Sequence, residues 1–163
     1  MVGAGTPHGA APSPAAKGPA DPAGGAVIDA SVAVKWVIGE AGSEEAARLL
    51  DGRPLVAPEL LLPECANILW KKATRGEIAA EEAGLAADLL ARAEVELVGH
   101  RALMPAALTL ALELRHPAYD CAYLALAMGR GLAMVTADRR FARAVAAQGR
   151  YRAWVTVLET GEG

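Results

Sequence analysis

The stretch Ala26-Val27-Ile28-Asp29-Ala30-Ser31-Val32 decides the fold. Three apolar residues run straight into a lone carboxylate and then a hydroxyl. That is the pattern of a strand buried on both faces that ends in a polar turn before a helix. Working outward, short apolar runs recur at 54–58, 95–98, 133–136 and 154–158. Longer stretches with helical periodicity separate them. A short helix is expected over 31–38 with Ser31 as its cap, and further helices over 43–50 and about 59–72, the last broken at 74–77. Others follow over 81–93, over 103–114 with Pro105 in the first turn, over 117–128, which is apolar on every side, and over 139–147. Strand and helix alternate throughout, which predicts an α/β fold with a mainly parallel sheet covered on both faces.

Bulk properties set the scale. The 163 residues suit one domain, and at 53% hydrophobic the chain can bury a substantial core, although 4% aromatic content means that core is built from Ala, Leu and Val. Residues 1–25 are almost entirely Ala, Gly and Pro, a composition that cannot offset the entropy of ordering, so a disordered extension is expected there and a folded domain over 26–160. No run of 18 uncharged apolar residues and no signal-peptide pattern occurs, which places the chain in the cytoplasm and away from membranes. The net charge is −3, but it is unevenly spread. Arg130, Arg139, Arg140, Arg143, Arg150 and Arg152 face a single acid, Asp138, in their segment. Arginines beside an acidic site suit a phosphate-bearing substrate, while a solvated terminal helix is their ordinary alternative.

Four carboxylates stand alone in apolar frames: Asp29, Glu64, Asp120 and Asp138. Burying an ionised carboxylate costs several kcal/mol unless it is paired or binds a metal, and no matching buried cations accompany these four. Each has an ordinary role open to it. Asp138 can cap a helix, Asp120 can favour a helix dipole, Asp29 can form a turn, and Glu64 can lie on a solvated stripe with Asn67 and Lys71. Asp29 fits least well, because a strand of Val and Ile has no structural use for an ion. In open α/β sheets the ligand crevice lies at the carboxyl ends of the strands, and Asp29, Asp120 and Asp138 are all delivered to that edge. A shared cation is the common explanation. Cys65 and Cys121 lack metal-ligand spacing and are expected to be reduced core residues.

Four segments carry a family resemblance: VIDASVAVKW (27–36), APELLLPECANILW (57–70), HPAYDCAYLALA (116–127) and VTADRRF (135–141). In order and frame they resemble the PIN-domain ribonucleases, specifically the VapC-type toxins, over roughly residues 26–158. The resemblance implies a Rossmann-like three-layer sandwich in which Asp29, Glu64, Asp120 and Asp138 match the acidic metal-binding quartet. It further implies an Mg²⁺- or Mn²⁺-dependent endoribonuclease acting on RNA, a homodimer, and inhibition by a cognate VapB-like antitoxin.

An all-oxygen donor set suits Mg²⁺ better than zinc. Asp29, Asp120 and Asp138 are expected as the more direct ligands, with Glu64 acting through water or orienting the nucleophile. Ser31 and Thr136 are candidate hydroxyl donors to those carboxylates. Lys35, Arg139 and Arg140 are candidates for substrate phosphates, and His116 reads as a loop residue before Pro117 rather than a general base. Two other readings share these residues: an inactive binding module that keeps the fold, and a housekeeping RNA-processing nuclease. A phosphate-acceptor receiver domain would want clustered acids early in the chain, whereas Asp29 stands alone until Glu40.

Overall fold

A computed structural model of the chain describes residues 18, 19 and 24–159. Most of the stretch expected to be a disordered extension, and Thr160 at the expected domain end, lie outside them. Among the described residues five strands, β1 (Ala26–Ile28), β2 (Leu55–Pro58), β3 (Glu96–Val98), β4 (Ala133–Thr136) and β5 (Val155–Val157), form one sheet in the order β3-β2-β1-β4-β5. Every pairing is parallel, and central β1 is fully buried, with Val27 opposite Val56 on one side and Met134 on the other. The chain reaches β1 through Gly25, whose φ of +126° favours glycine and where a Cβ would lie 2.6 Å from the Pro54 carbonyl oxygen. That same carbonyl accepts the Ala26 N–H at 3.0 Å, so the backbone must come this close for β1 to pair.

The helices are α1 (Ala30–Ala33), α2 (Ser43–Ala47), α3 (Leu61–Thr74), α4 (Ala80–Ala91), α5 (His100–Leu114), α6 (Ala118–Arg130) and α7 (Arg139–Ala147), with 3₁₀ turns at Val34–Trp36 and Gly149–Trp154. From β1 the chain steps outward to β2 and β3, then returns past β1 to β4 and β5. With right-handed crossovers, α1 to α4 cover one face and α5 to α7 the other, giving three layers. The reversal on either side of β1 opens a crevice at the carboxyl ends of β1 and β4. Helix α6 is the central one: Cys121 to Ala127 are all buried, and it packs on β1, β2 and β4 beneath α5. Gly131, with φ +68°, ends α6 in the left-handed turn that feeds β4.

Several elements differ from expectation for identifiable reasons. The first helix starts at Ala30, capped by Asp29 rather than Ser31, and tightens to a 3₁₀ turn after Ala33. Helix α2 is shorter than expected, ending at Ala47, and Gly42 rather than a side chain caps it, because the Ser43 hydroxyl donates to the Ile38 carbonyl and accepts the Glu40 N–H. Helix α3 runs on to Thr74, whose hydroxyl bonds the Trp70 carbonyl. The edge strands β3 and β5 are short and partly exposed, and Glu96 at one edge is held by Arg130.

Helix α5 starts at His100, so Pro105 sits inside it rather than in its first turn. Its ring nitrogen leaves the Arg101 carbonyl without a helical donor. Replacing exposed Pro105 with Ala restores that bond, against a small entropic loss from a freer unfolded chain, so stability should rise by about 1–2 kcal/mol. The urea midpoint reads this directly, and an unchanged or lower midpoint would show that α5 has fully accommodated the proline.

Candidate active site

Asp29 leaves β1 at its carboxyl end and is 8% exposed. Its Oδ1 accepts the Val32 N–H at 3.1 Å and the Ser31 hydroxyl at 2.5 Å, and its Oδ2 accepts the Thr136 hydroxyl from the end of β4. Those hydroxyls are themselves anchored: the Ala137 N–H donates to Ser31 Oγ at 2.8 Å and the Asp138 N–H to Thr136 Oγ1 at 3.0 Å. One carboxylate thus ties the ends of the two strands that flank the crevice.

The other three acids arrive from separate helices. Asp138 caps α7, its Oδ1 accepting from Arg140 N at 2.8 Å and Phe141 N at 3.0 Å. Asp120 lies in the first turn of α6, and its Oδ2 pairs with His116 Nε2 at 2.7 Å. Glu64, in the first turn of α3, accepts the Tyr123 hydroxyl at 2.5 Å. All four line one open cleft of about 200 Å³ together with Ala30, Ser31, Asn67 and Ile68. No lysine or arginine is among the lining residues.

Electrostatics record that crowding. Burial pushes the Asp29 carboxyl up to about 6, outweighing the hydrogen bonds that favour its ionised form, and the Asp120 charge adds to the rise. Glu64 is raised for the same reasons, burial first and then Asp120 and Asp29, with the Tyr123 hydrogen bond opposing. Burial also raises the Tyr123 phenol far above its ordinary value, so it stays a donor. Cys65 and Cys121 are buried and pushed up to about 12, as suits inert core thiols.

Chemically, this is an acidic cleft with oxygen donors and no internal counter-charge. Among the described residues no three His, Cys, Asp or Glu side chains are grouped closely enough to hold an ion on their own. An open arrangement is what Mg²⁺ uses, since it keeps several waters and takes only one or two carboxylates directly.

Two functional contacts escaped the sequence reading. His116 is in the loop before Pro117, as expected, but its ring is buried against Phe141, 5.0 Å between centroids, and holds Asp120. Arg115 beside it adopts φ +52°, unusual for a residue with a side chain, to turn α5 into that loop. The spacing of four between His116 and Asp120 was the available signal. Tyr123, three residues after Asp120, is the second. Lys35 departs from its expected role: its side chain is 11% exposed and its ammonium is held by Glu40 at 2.7 Å and the Ala41 carbonyl at 2.8 Å, leaving no free charge for a phosphate. Glu40 is in turn paired with Lys72 at 2.6 Å, and the two ammoniums hold its carboxyl below the usual range despite partial burial. Arg139 and Arg140 are exposed on the first turn of α7 beside Asp138. Arg130 and Arg150, also in the basic segment, are paired with Glu96 and Glu113.

Residues 26–146 match the family described as PIN domain. The chain belongs to the PIN-domain family. It is 33% identical over 119 residues to Ribonuclease VapC3 of Pyrobaculum aerophilum, covering 71% of this chain and 91% of that protein. Among solved structures, PAE2754 from Pyrobaculum aerophilum superposes with a TM-score of 0.59 at 23% identity, over 85% of this chain and 86% of the other. Mycobacterium tuberculosis VapC20, a Sarcin-Ricin loop cleaving toxin, gives 0.57 at 19% identity, over 73% and 94%. VapBC2 from Rickettsia felis, bound to a DNA fragment from their promoter, gives 0.59 at 13% identity, over 83% and 99%. These structures share the fold, and the VapC3 likeness makes this PIN domain a VapC-type ribonuclease.

The Asp29 environment predicts a sign for pH dependence. Its folded value of about 6 lies above the ordinary 3.8, so between those values the folded protein binds a proton that the unfolded chain does not. Stability from this group is therefore full below the unfolded value and lost as pH rises through the folded one. Relative to Asp29→Asn, the parent in chelating buffer should lose about 1 kcal/mol between pH 5 and 7. Urea titrations at both pH values measure the difference, and a parent that gains on the variant as pH rises would contradict the assignment.

Proposed function

We propose that this PIN domain is the toxin of a toxin–antitoxin pair, an endoribonuclease that hydrolyses RNA phosphodiester bonds with Mg²⁺ or Mn²⁺. The observation that carries it is the convergence of Asp29, Glu64, Asp120 and Asp138 on one cleft without a lysine or arginine. An open acidic cleft with no lysine or arginine in its lining fits a hard divalent cation, which Asp29, Asp120 and Asp138 would hold directly or through water, with Glu64 beside them. Such a cation, when bound, supplies an activated water and neutralises charge on the phosphoryl oxygens. The chain's own residues do the rest. Ser31 and Thr136 lock both oxygens of Asp29, His116 orients Asp120, and the α7 backbone fixes Asp138. Exposed Arg139 and Arg140 lie where a phosphate backbone would pass beside Asp138.

The proposed partners are protein as well as RNA. Met104, Leu108 and Leu112 form an exposed apolar stripe at helical spacing on α5, 61%, 54% and 72% exposed, and Trp70, Leu85 and Leu89 are exposed on α3 and α4. Such faces support a second copy of the chain and a VapB-like antitoxin as occupants. No helix among the described residues is long and apolar enough to cross a membrane, and we propose a cytoplasmic protein.

Asp120→Asn should lower metal-dependent RNA cleavage by at least about 100-fold, the upper end of what losing even an outer partner costs a metal site. Induction of the parent should arrest growth while Asp120→Asn does not. Cleavage by the parent without growth arrest would favour a housekeeping nuclease, and equal cleavage by both would leave only a binding module. If α5 carries the dimer, Leu108→Glu should convert a dimer to a monomer in light scattering while the melting midpoint holds. A parent that is already monomeric would overturn that assignment.

A further inference from the structure

We propose that Tyr123 is a positioning residue for Glu64, its hydroxyl holding that carboxylate in the acidic cleft against repulsion from the neighbouring acids. The inference rests on the metal-dependent nuclease reading above. Glu64 belongs to α3, which packs on α4, on α1 and on the 3₁₀ turn that follows α1. Asp120 belongs to α6, which packs on α5 and on the opposite face of the sheet. The two acids are thus carried by different layers and meet only at the carboxyl edge of the strands. Tyr123 bridges those layers. It sits three residues after Asp120, on the same side of α6. Its ring is 1% exposed, and its hydroxyl donates to Glu64 Oε2 at 2.5 Å.

Glutamate has three rotatable side-chain bonds, and among the described residues the Tyr123 hydroxyl is the hydrogen-bond donor to its carboxylate. Asp29 and Asp120 both repel it, and burial disfavours its charge. The neighbouring face of α3 is exposed at Pro63, Ala66 and Asn67, so a small rotation would carry the carboxylate to water. Within the lining of the cleft and its hydrogen bonds, the Tyr123 hydroxyl is the group that draws Glu64 inward. A buried phenol that merely needed an acceptor would affect stability alone, whereas one that places a ligand must affect metal binding.

Tyr123→Phe separates the two, because phenylalanine fills the same space and removes one oxygen. Calorimetric titration of the metal-free full chain with Mn²⁺ should show about 10-fold weaker binding in the variant. Steady-state cleavage at saturating Mn²⁺ should show a lower kcat with KM for RNA unchanged. In a Glu64→Gln background the same substitution should add no further loss of Mn²⁺ affinity. Parent-like Mn²⁺ affinity and kcat in Tyr123→Phe would overturn the proposal while leaving the nuclease reading intact. So would an equal loss in the Glu64→Gln background, since Tyr123 would then not act through Glu64. A variant that fails to fold would overturn it too, by making the hydroxyl a support of the core. A parent that binds no Mn²⁺ would remove the metal reading and this inference with it.

Discussion

The structure depends on one buried carboxylate. Asp29 ends the central strand, caps the first helix and receives the hydroxyls of Ser31 and Thr136, so the carboxyl ends of β1 and β4 are joined through a single side chain. Parallel neighbours with opposite crossover directions leave a gap at this point in any open α/β sheet. An apolar residue here would leave the Ser31 and Thr136 hydroxyls and the Val32 N–H short of an acceptor, at roughly 1–3 kcal/mol for each buried group left unmade. Asp29 satisfies them and holds the gap at a fixed width. The same hydrogen bonds stabilise its ionised form, yet burial still lifts it to about 6. The fold therefore keeps a partly unfavourable charge where a cation would relieve it.

The remaining acids follow the same economy of double use. Asp138 is a helix cap with Oδ1 on two backbone N–H groups, and Asp120 sits where a helix dipole welcomes an acid. Neither structural role competes with a role in the cleft, because a carboxylate has two oxygens and about four acceptor sites. Choosing between cap and ligand for such residues poses a false alternative. What distinguishes them is convergence: these acids line one crevice from the end of β1, from α3, from α6 and from the loop after β4.

This also explains what was legible in the sequence. Burial on both faces wrote the strands as plain apolar runs, so β1, β2 and β4 and a mainly parallel sheet could be anticipated, and the all-buried α6 announced itself as central. The motifs around the acids named the family. Features that depend on where one element meets another stayed hidden. Pro105 looked like a first-turn residue because nothing local shows that α5 starts at His100. Lys35 looked free because its partners Glu40 and Ala41 are brought to it by the tight turn after Ile38. His116 looked like loop because its use requires the left-handed turn at Arg115 that swings the ring onto Phe141. Tyr123 looked like core, which it is, and only the approach of α3 gives its hydroxyl an acceptor 59 residues away.

Charge is partitioned in a way that bears on the substrate. The six arginines of the C-terminal segment suggested a basic face, but Arg130 and Arg150 are committed to Glu96 and Glu113, the latter also fixed by the Tyr151 hydroxyl. Beside the acids, Arg140 lies exposed on the first turn of α7, two residues after Asp138. Cations inside the cleft would compete with a metal for the carboxylates. Cations on its rim do not, and they attract a polyanion whose approach an overall charge of −3 would otherwise oppose. An acidic cleft with an exposed Arg140 two residues beyond Asp138 therefore favours a substrate longer than one phosphate. Under the proposed nuclease reading, the scissile group would lie over the acids and a flanking phosphate beside the first turn of α7, as cleavage within a strand requires.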